Sequence, residues 1–105
     1  MMNSTNPSDA LAIAARRAKD ICDRVLSSQI EQGIKKMSSD VMEIVGTLEA
    51  LEGLDFWSCS VKWASEYSRP LVISSLLKNL EICQPQIKKH GSVEGFLTYA
   101  ETLIQ

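Results

Sequence analysis

Seven apolar residues, Ile30, Ile34, Met37, Val41, Ile44, Leu48 and Leu51, follow one another at steps of 4, 3, 4, 3, 4 and 3. That spacing is the seam of a coiled coil, and it commits this part of the chain to helix. The same stretch contains a helix start. Ser38 or Ser39 can cap a new helix, and Asp40 with Glu43 three residues on forms a variant capping box. Two architectures compete: one rod through the seam, or two helices that meet at Lys35 to Ser39 and pack on a common core. The internal cap favours the second. The rod is the alternative, and it would make the chain a homodimerisation module built on residues 30–51.

The rest of the chain reads as helix as well. Asn6-Pro7-Ser8-Asp9 offers a cap, a proline at the first helical position and an acid in the first turn. Leu11, Ala14, Ala18, Ile21 and Val25 then form an apolar stripe, and this helix is expected to run to about Lys36. The second should start near Ser39 and stop at Gly53 in a left-handed cap. Asp55 can cap a third, with Phe56, Cys59, Trp63 and Tyr67 sharing an inward face. Pro70 starts a fourth, with Ile73, Leu76, Leu77, Leu80 and Cys83 inward. Pro85 lacks an N–H and is expected to break or kink it, leaving residues 84–91 as a loop with about one turn. Ser92 can cap a last helix bearing Val93, Phe96, Leu97, Ala100, Leu103 and Ile104. No segment alternates in the manner of a strand. The expectation is all-α: a compact bundle of about five helices built from helical hairpins, over residues 7–105, with residues 1–6 a disordered tail.

At 105 residues and 45% hydrophobic content the chain suits one modest core. Its net charge of −2 provides no bulk attraction to nucleic acid or anionic membrane, so any basic contact must be local. Residues 40–55 hold Asp40, Glu43, Glu49, Glu52 and Asp55 without a base, while Lys35-Lys36 and Lys88-Lys89 form two basic pairs. Local nucleic-acid binding through those pairs is a further alternative. The three cysteines, Cys22, Cys59 and Cys83, lie far apart and form no C-x-x-C pair, which suits buried reduced thiols in an intracellular, soluble protein. No apolar run approaches the ~18 residues of a membrane span.

Chemistry is thinly represented. His90 is the only histidine, and beside Lys89 and Gly91 it reads as an exposed helix-end residue. A metal site has no suitable ligand spacing, and no Ser, His and carboxylate fall in an arrangement that would activate a nucleophile. The glycines are isolated and form no phosphate loop. The expectation is a chain with no catalytic residue, no metal and no cofactor. Phe56, Trp57, Trp63 and Tyr67 crowd into twelve residues, with Trp57 set about a quarter-turn from the others and the better candidate for exposure.

Residues 26–56, LSSQIEQGIKKMSSDVMEIVGTLEALEGLDF, carry a more specific pattern. Leu26, Ser28, Ile30, Ile34-Lys35, Ser38, Asp40-Val41, Leu48-Glu49, Leu51 and Leu54 fall without gaps at the positions marking a known domain. The stretch resembles the integrase-binding domain of the lens epithelium-derived growth factor and hepatoma-derived growth factor-related family. Downstream, Ser74-Ser75-Leu76-Leu77-Lys78 is similar to that family's fourth helix and Val93 to Ile104 to its last, with insertions between. KKHGS and the terminal Ala100, Leu103 and Ile104 are similar to the wider superfamily of the N-terminal domain of transcription elongation factor S-II.

The resemblance implies a right-handed helical bundle in a nuclear, chromatin-associated transcription regulator. It implies a monomeric interaction domain that binds short linear motifs, acidic and phenylalanine-bearing, in disordered partner proteins. The family's ligand sits at one end of the bundle, against the first interhelical loop and the loop before the last helix. Carried onto this chain, the first loop is Lys36, Met37, Ser38 and Ser39, and the second maps onto residues 81–91, with Ile82 and Ile87 in place of exposed apolar residues. Met37, Ile82 and Ile87 would supply an apolar contact, and Lys35, Lys36, Lys78, Lys88 and Lys89 would attract acidic flanks. Where family members carry an apolar residue and then an aspartate, this sequence has Lys36 and Met37. The backbone N–H groups which that aspartate accepts in the viral integrase complex would need another acceptor here.

Overall fold

The computed structural model describes residues 7–104, and the side chains of residues 10–104. The expected tail, residues 1–6, lies outside the described residues. Four helices and no strand are found among those described: α1 Pro7–Glu31, α2 Ser39–Trp63, α3 Arg69–Lys89 and α4 Val93–Thr102. The all-helical expectation holds, but the count is four rather than about five.

The chain enters α1 at Pro7, a position where the missing N–H has no intrahelical acceptor to lose. α1 ends at Glu31, five residues before the expected Lys36. Gly33 sets the stop, with φ of +70°. The Gly33 N–H donates to the Ile30 carbonyl at 2.9 Å and the Ile34 N–H to the Gln29 carbonyl at 3.0 Å, which is the Schellman pattern. After the loop, Ser38 caps α2: its hydroxyl accepts the Val41 N–H at 3.3 Å, and its carbonyl accepts the Met42 N–H at 3.0 Å. No rod crosses residues 30–51. Ile44, Leu48 and Leu51 of the seam are buried within the molecule, while Ile30 and Ile34 are exposed.

α2 does not stop at Gly53, and the expected second and third helices are one. A mid-helix glycine costs only about 1 kcal/mol relative to alanine. Here the absent side chain lets α3 approach, because a methyl group at Gly53 would meet the side-chain amide of Asn79. That amide donates to the Ala50 carbonyl at 3.3 Å, and one turn on the Cys83 thiol points to the Thr47 carbonyl at 3.8 Å. Numbers rise on α3 as they fall on α2, so the two run antiparallel. Pro85 does not break α3, which continues to Lys89. The helix ends at His90, whose N–H donates to the Gln86 carbonyl, and Gly91 follows at φ of +83°. Residues 84–91 are therefore mostly helix rather than loop. Ser92 caps α4 as expected, its hydroxyl accepting the Gly95 N–H at 3.0 Å.

α2 is the central element, packed along α1 and along α3, and α4 closes the bundle against α1 and α3. The core joins Ala18, Ile21, Cys22 and Val25 of α1, Leu48, Leu51 and Leu54 of α2, Cys83 of α3, and Phe96, Leu97 and Ala100 of α4. Arg17 ties the short α4 to α1: its Nε donates to Glu101 at 2.6 Å and a terminal nitrogen to Glu94 at 2.7 Å.

Several expected core residues lie outside. Phe56, Trp63 and Tyr67 are 62%, 86% and 95% exposed, whereas Trp57, the one expected to face solvent, is half-buried. These residues do share spacing, but no other helix covers their face, and Tyr67 lies beyond the end of α2 at Trp63. Ile73, Leu77 and Leu80 are exposed, so α3 turns only Val72, Cys83 and Gln86 fully inward, with Leu76 partly buried. Of the three cysteines, Cys59 is exposed rather than buried.

Candidate functional site

The loop between α1 and α2 presents Lys35 and Lys36 to solvent, and Ser39, the first residue of α2, is exposed as well. Ser38 is exposed but engaged as the α2 cap. Met37 is half-buried and packs against the core, as does Ile87 near the end of α3. The antiparallel register of α2 and α3 carries the end of α3 toward the beginning of α2, so both expected segments sit at the same end of the bundle. The structure does not make one apolar patch of Met37, Ile82 and Ile87. Five residues apart on one helix, Ile82 and Ile87 point about 140° away from each other. Ile87 turns to the core and Ile82 to solvent. Lys78, Ile82 and Lys89 share an outward face, being separated by four and seven residues.

The end of α3 carries a shallow depression of about 660 Å³ lined by Glu81, Gln84, Pro85, Ile87, Lys88 and Gly91. Its chemistry follows from Pro85. A helical residue there would donate its N–H to the Glu81 carbonyl, and proline has none to give. The carbonyl of a lining residue therefore lacks its ordinary intrahelical donor. Lys35, Lys36, Lys78, Lys88 and Lys89 are all exposed, and none joins an ion pair among the described residues. The depression thus combines an apolar wall of Pro85 and Ile87 with one cation, Lys88, and one carboxylate, Glu81.

His90 differs from the exposed helix-end residue that the sequence suggests. It is half-buried, with its ring stacked on Tyr99 at 4.4 Å between centroids and tilted against Phe96 at 6.0 Å. The stack fixes the turn from α3 into α4, which forms one edge of the depression. One turn earlier the buried Gln86 lies on the same side of the helix, and neither Gln86 Oε1 nor His90 Nε2 has a hydrogen-bond partner within the protein.

A second concavity, missed by sequence reasoning, lies at the other end of α2. It measures about 580 Å³, and its lining includes Glu52, Asp55, Phe56, Trp57, Trp63 and Val72. The Phe56 and Trp57 rings meet edge to face, 5.0 Å apart with 79° between their planes. The carboxyl of Glu52 is shifted upward, first by burial; Lys19 opposes the shift, and Asp23 and Glu49 add to it. The sequence signal was present in the base-free run 40–55 beside four clustered aromatics. Periodicity could not reveal that their face is uncovered.

No group of three or more His, Cys, Asp and Glu side chains able to hold a metal occurs among the described residues, and no helix there is long and apolar enough to cross a membrane. Comparison with protein-family models, curated proteins and solved structures finds no match to this chain.

Proposed function

We propose that the chain is a protein-interaction domain of a nuclear, chromatin-associated transcription regulator, acting as a monomer on short acidic, phenylalanine-bearing motifs of disordered partners. The resemblance of residues 26–56 to the integrase-binding domains supports this reading, together with the all-helical bundle observed. The observation that carries it is the depression at the end of α3. Ile87 offers apolar contact, and Lys88 lines the wall with Lys89 its chain neighbour and Lys35-Lys36 at the same end of the bundle. A phenylalanine ring fills such a hollow, while flanking acids meet lysines that have no carboxylate of their own.

The Glu81 carbonyl freed by Pro85 takes the acceptor role for which the family uses the aspartate replaced here by Met37. A main-chain carbonyl accepts a peptide N–H, with about half the strength that an ionised carboxylate gives. Such binding is of modest affinity, because ordering the peptide consumes part of the gross interaction.

A nuclear magnetic resonance titration with acidic peptides containing phenylalanine tests the reading. Shifts should cluster on Met37 and residues 81–91, and Lys88→Glu should weaken binding without loss of fold because Lys88 is exposed. Met37→Asp is the harsher probe, since Met37 also packs on the core. Shifts scattered over other faces, or none, would remove the site from this end of the molecule.

A further inference from the structure

We propose that the concavity at the C-terminal end of α2 is a second binding site, which takes the cationic lysine or arginine side chains of a basic peptide segment. Four observations converge on it. Phe56 and Trp63 are large apolar groups left 62% and 86% in water, on one face of the end of α2 beyond its last buried residue, Leu54. Aromatic faces attract ammonium and guanidinium groups, and the long aliphatic stems of those residues lie well on apolar walls such as Val72. The near-perpendicular rings of Phe56 and Trp57 provide two differently oriented walls in one hollow.

Glu52 and Asp55 line the same hollow, and neither has an ion-pair partner among the described residues. Glu52 is half-buried and its carboxyl is shifted upward by that burial, so its charge is poorly solvated without compensation. A cation delivered by a partner supplies that compensation. No other group among the described residues forms a salt bridge to Glu52 or Asp55. Lys62 shares a side of α2 with Asp55 but stands two turns, about 10 Å, further on; Arg69 lines a different hollow with Glu66 and Ile73; and Lys19 acts on Glu52 without forming a salt bridge to it. The two carboxylates repel phosphate, which disfavours nucleic acid in this hollow.

This site is separate from the one proposed above. Met37 precedes α2, whereas Glu52 to Trp63 occupy its last turns, about 25 Å away at 1.5 Å per helical residue. The charges are opposite as well, so the two surfaces select opposite partners.

Trp57 and Trp63 are the only tryptophans in the chain, so their emission reports this hollow directly. The purified domain is titrated with a short lysine-rich peptide carrying leucine spacers, with the same peptide bearing glutamate for lysine, and at rising ionic strength. The lysine peptide should change the emission saturably, the glutamate peptide should not, and salt should weaken binding. E52Q combined with D55N should raise the Kd by about tenfold or more. E31Q combined with E43Q removes the same total charge elsewhere and should leave the Kd within about twofold. E52Q relieves a repelled, half-buried charge, so thermal melting should find the double variant at least as stable as the parent. An unchanged Kd in E52Q/D55N, an equal response to the glutamate peptide, or no response to either would overturn the proposal. Emission that varies with protein concentration alone would overturn it in favour of a second copy of the chain.

Discussion

A methyl group added at Gly95 would run into the backbone carbonyl of His90, whereas one added at Gly53 would meet the side-chain amide of Asn79. The first obstacle is main chain at the α3 to α4 turn; the second is the end of a flexible side chain. Gly95→Ala should therefore lose about 1–3 kcal/mol despite its better helix propensity. Gly53→Ala should be near neutral, a propensity gain of about 1 kcal/mol offsetting the Asn79 to Ala50 hydrogen bond of similar worth. In an Asn79→Ala background the same change should stabilise by about 0.5–1 kcal/mol. Urea unfolding of the four cycle members measures that coupling, and additive effects would show that Asn79 is not the obstacle. The cysteines divide in the same residue-by-residue way. Burial pushes the thiols of Cys22 and Cys83 up to about 11, with Glu49 and Glu52 adding to the effect at Cys22, while Cys59 is exposed. One thiol in three should react with a chromogenic disulfide near pH 8, the others only on unfolding. Because the unfolded chain loses these protons near pH 9 and the folded chain only near 11, stability should be intact below 9 and fall as pH rises between the two. Cys22→Ala with Cys83→Ala should flatten that slope in urea midpoints measured across the range.

At the scale of elements, most starts were legible because capping is local chemistry; the exception is Asp55, expected to cap a helix but lying inside α2. Ser38, Pro70 and Ser92 open α2, α3 and α4 with groups within three residues of one another. The stops were less so. Gly53 and Pro85 are ordinary breakers, yet both lie inside helices because tertiary packing outweighs a cost of about 1 kcal/mol for glycine and up to about 3 for proline. Gly33 and Gly91 are the residues that adopt positive φ and end helices, and nothing in their isolated spacing sets them apart from Gly53. The candidate site suffered from the same ambiguity. Lys35, Lys36, Lys88 and Lys89 are exposed as expected, but α3 extends through the segment read as a loop and turns Ile82 away from Ile87. Pro85 gives this scale its test. Since it is exposed, with helix on both sides, Pro85→Ala should stabilise the protein by about 1–3 kcal/mol by restoring a donor to the Glu81 carbonyl. The same repair should weaken acidic-peptide binding if that carbonyl accepts from the ligand. Thermal melts and peptide titration on one variant separate the two effects, and a destabilised Pro85→Ala would mean that α3 packs only when its ladder is interrupted.

Across the whole molecule, α2 serves as the common wall of one core while its two ends carry surfaces of opposite chemistry. Its first turn follows the lysine-bearing loop, and its last turns carry Glu52, Asp55 and the exposed aromatics. This division depends on the middle of α2 being committed inward. Leu48 has no exposed surface and Leu51 almost none, and both meet residues of the same chain. The heptad spacing from Ile30 to Leu51 is thus the trace of two helices filling one interior, in which steps of 3 and 4 keep a helix facing its neighbour whether that neighbour belongs to the same chain or another. Protein concentration distinguishes the two cases. Leu48→Ala should lose about 2–5 kcal/mol through lost burial and a residual cavity. If Leu48 fills an intramolecular core, parent and variant should each unfold at a midpoint independent of protein concentration, and the difference between them should persist over a hundredfold dilution. A seam between two copies would instead shift the parent's midpoint upward with concentration, because association stabilises the folded form by mass action. Urea melts at two concentrations therefore decide whether the spacing that fixes α2 is spent inside the molecule, leaving only its ends for partners.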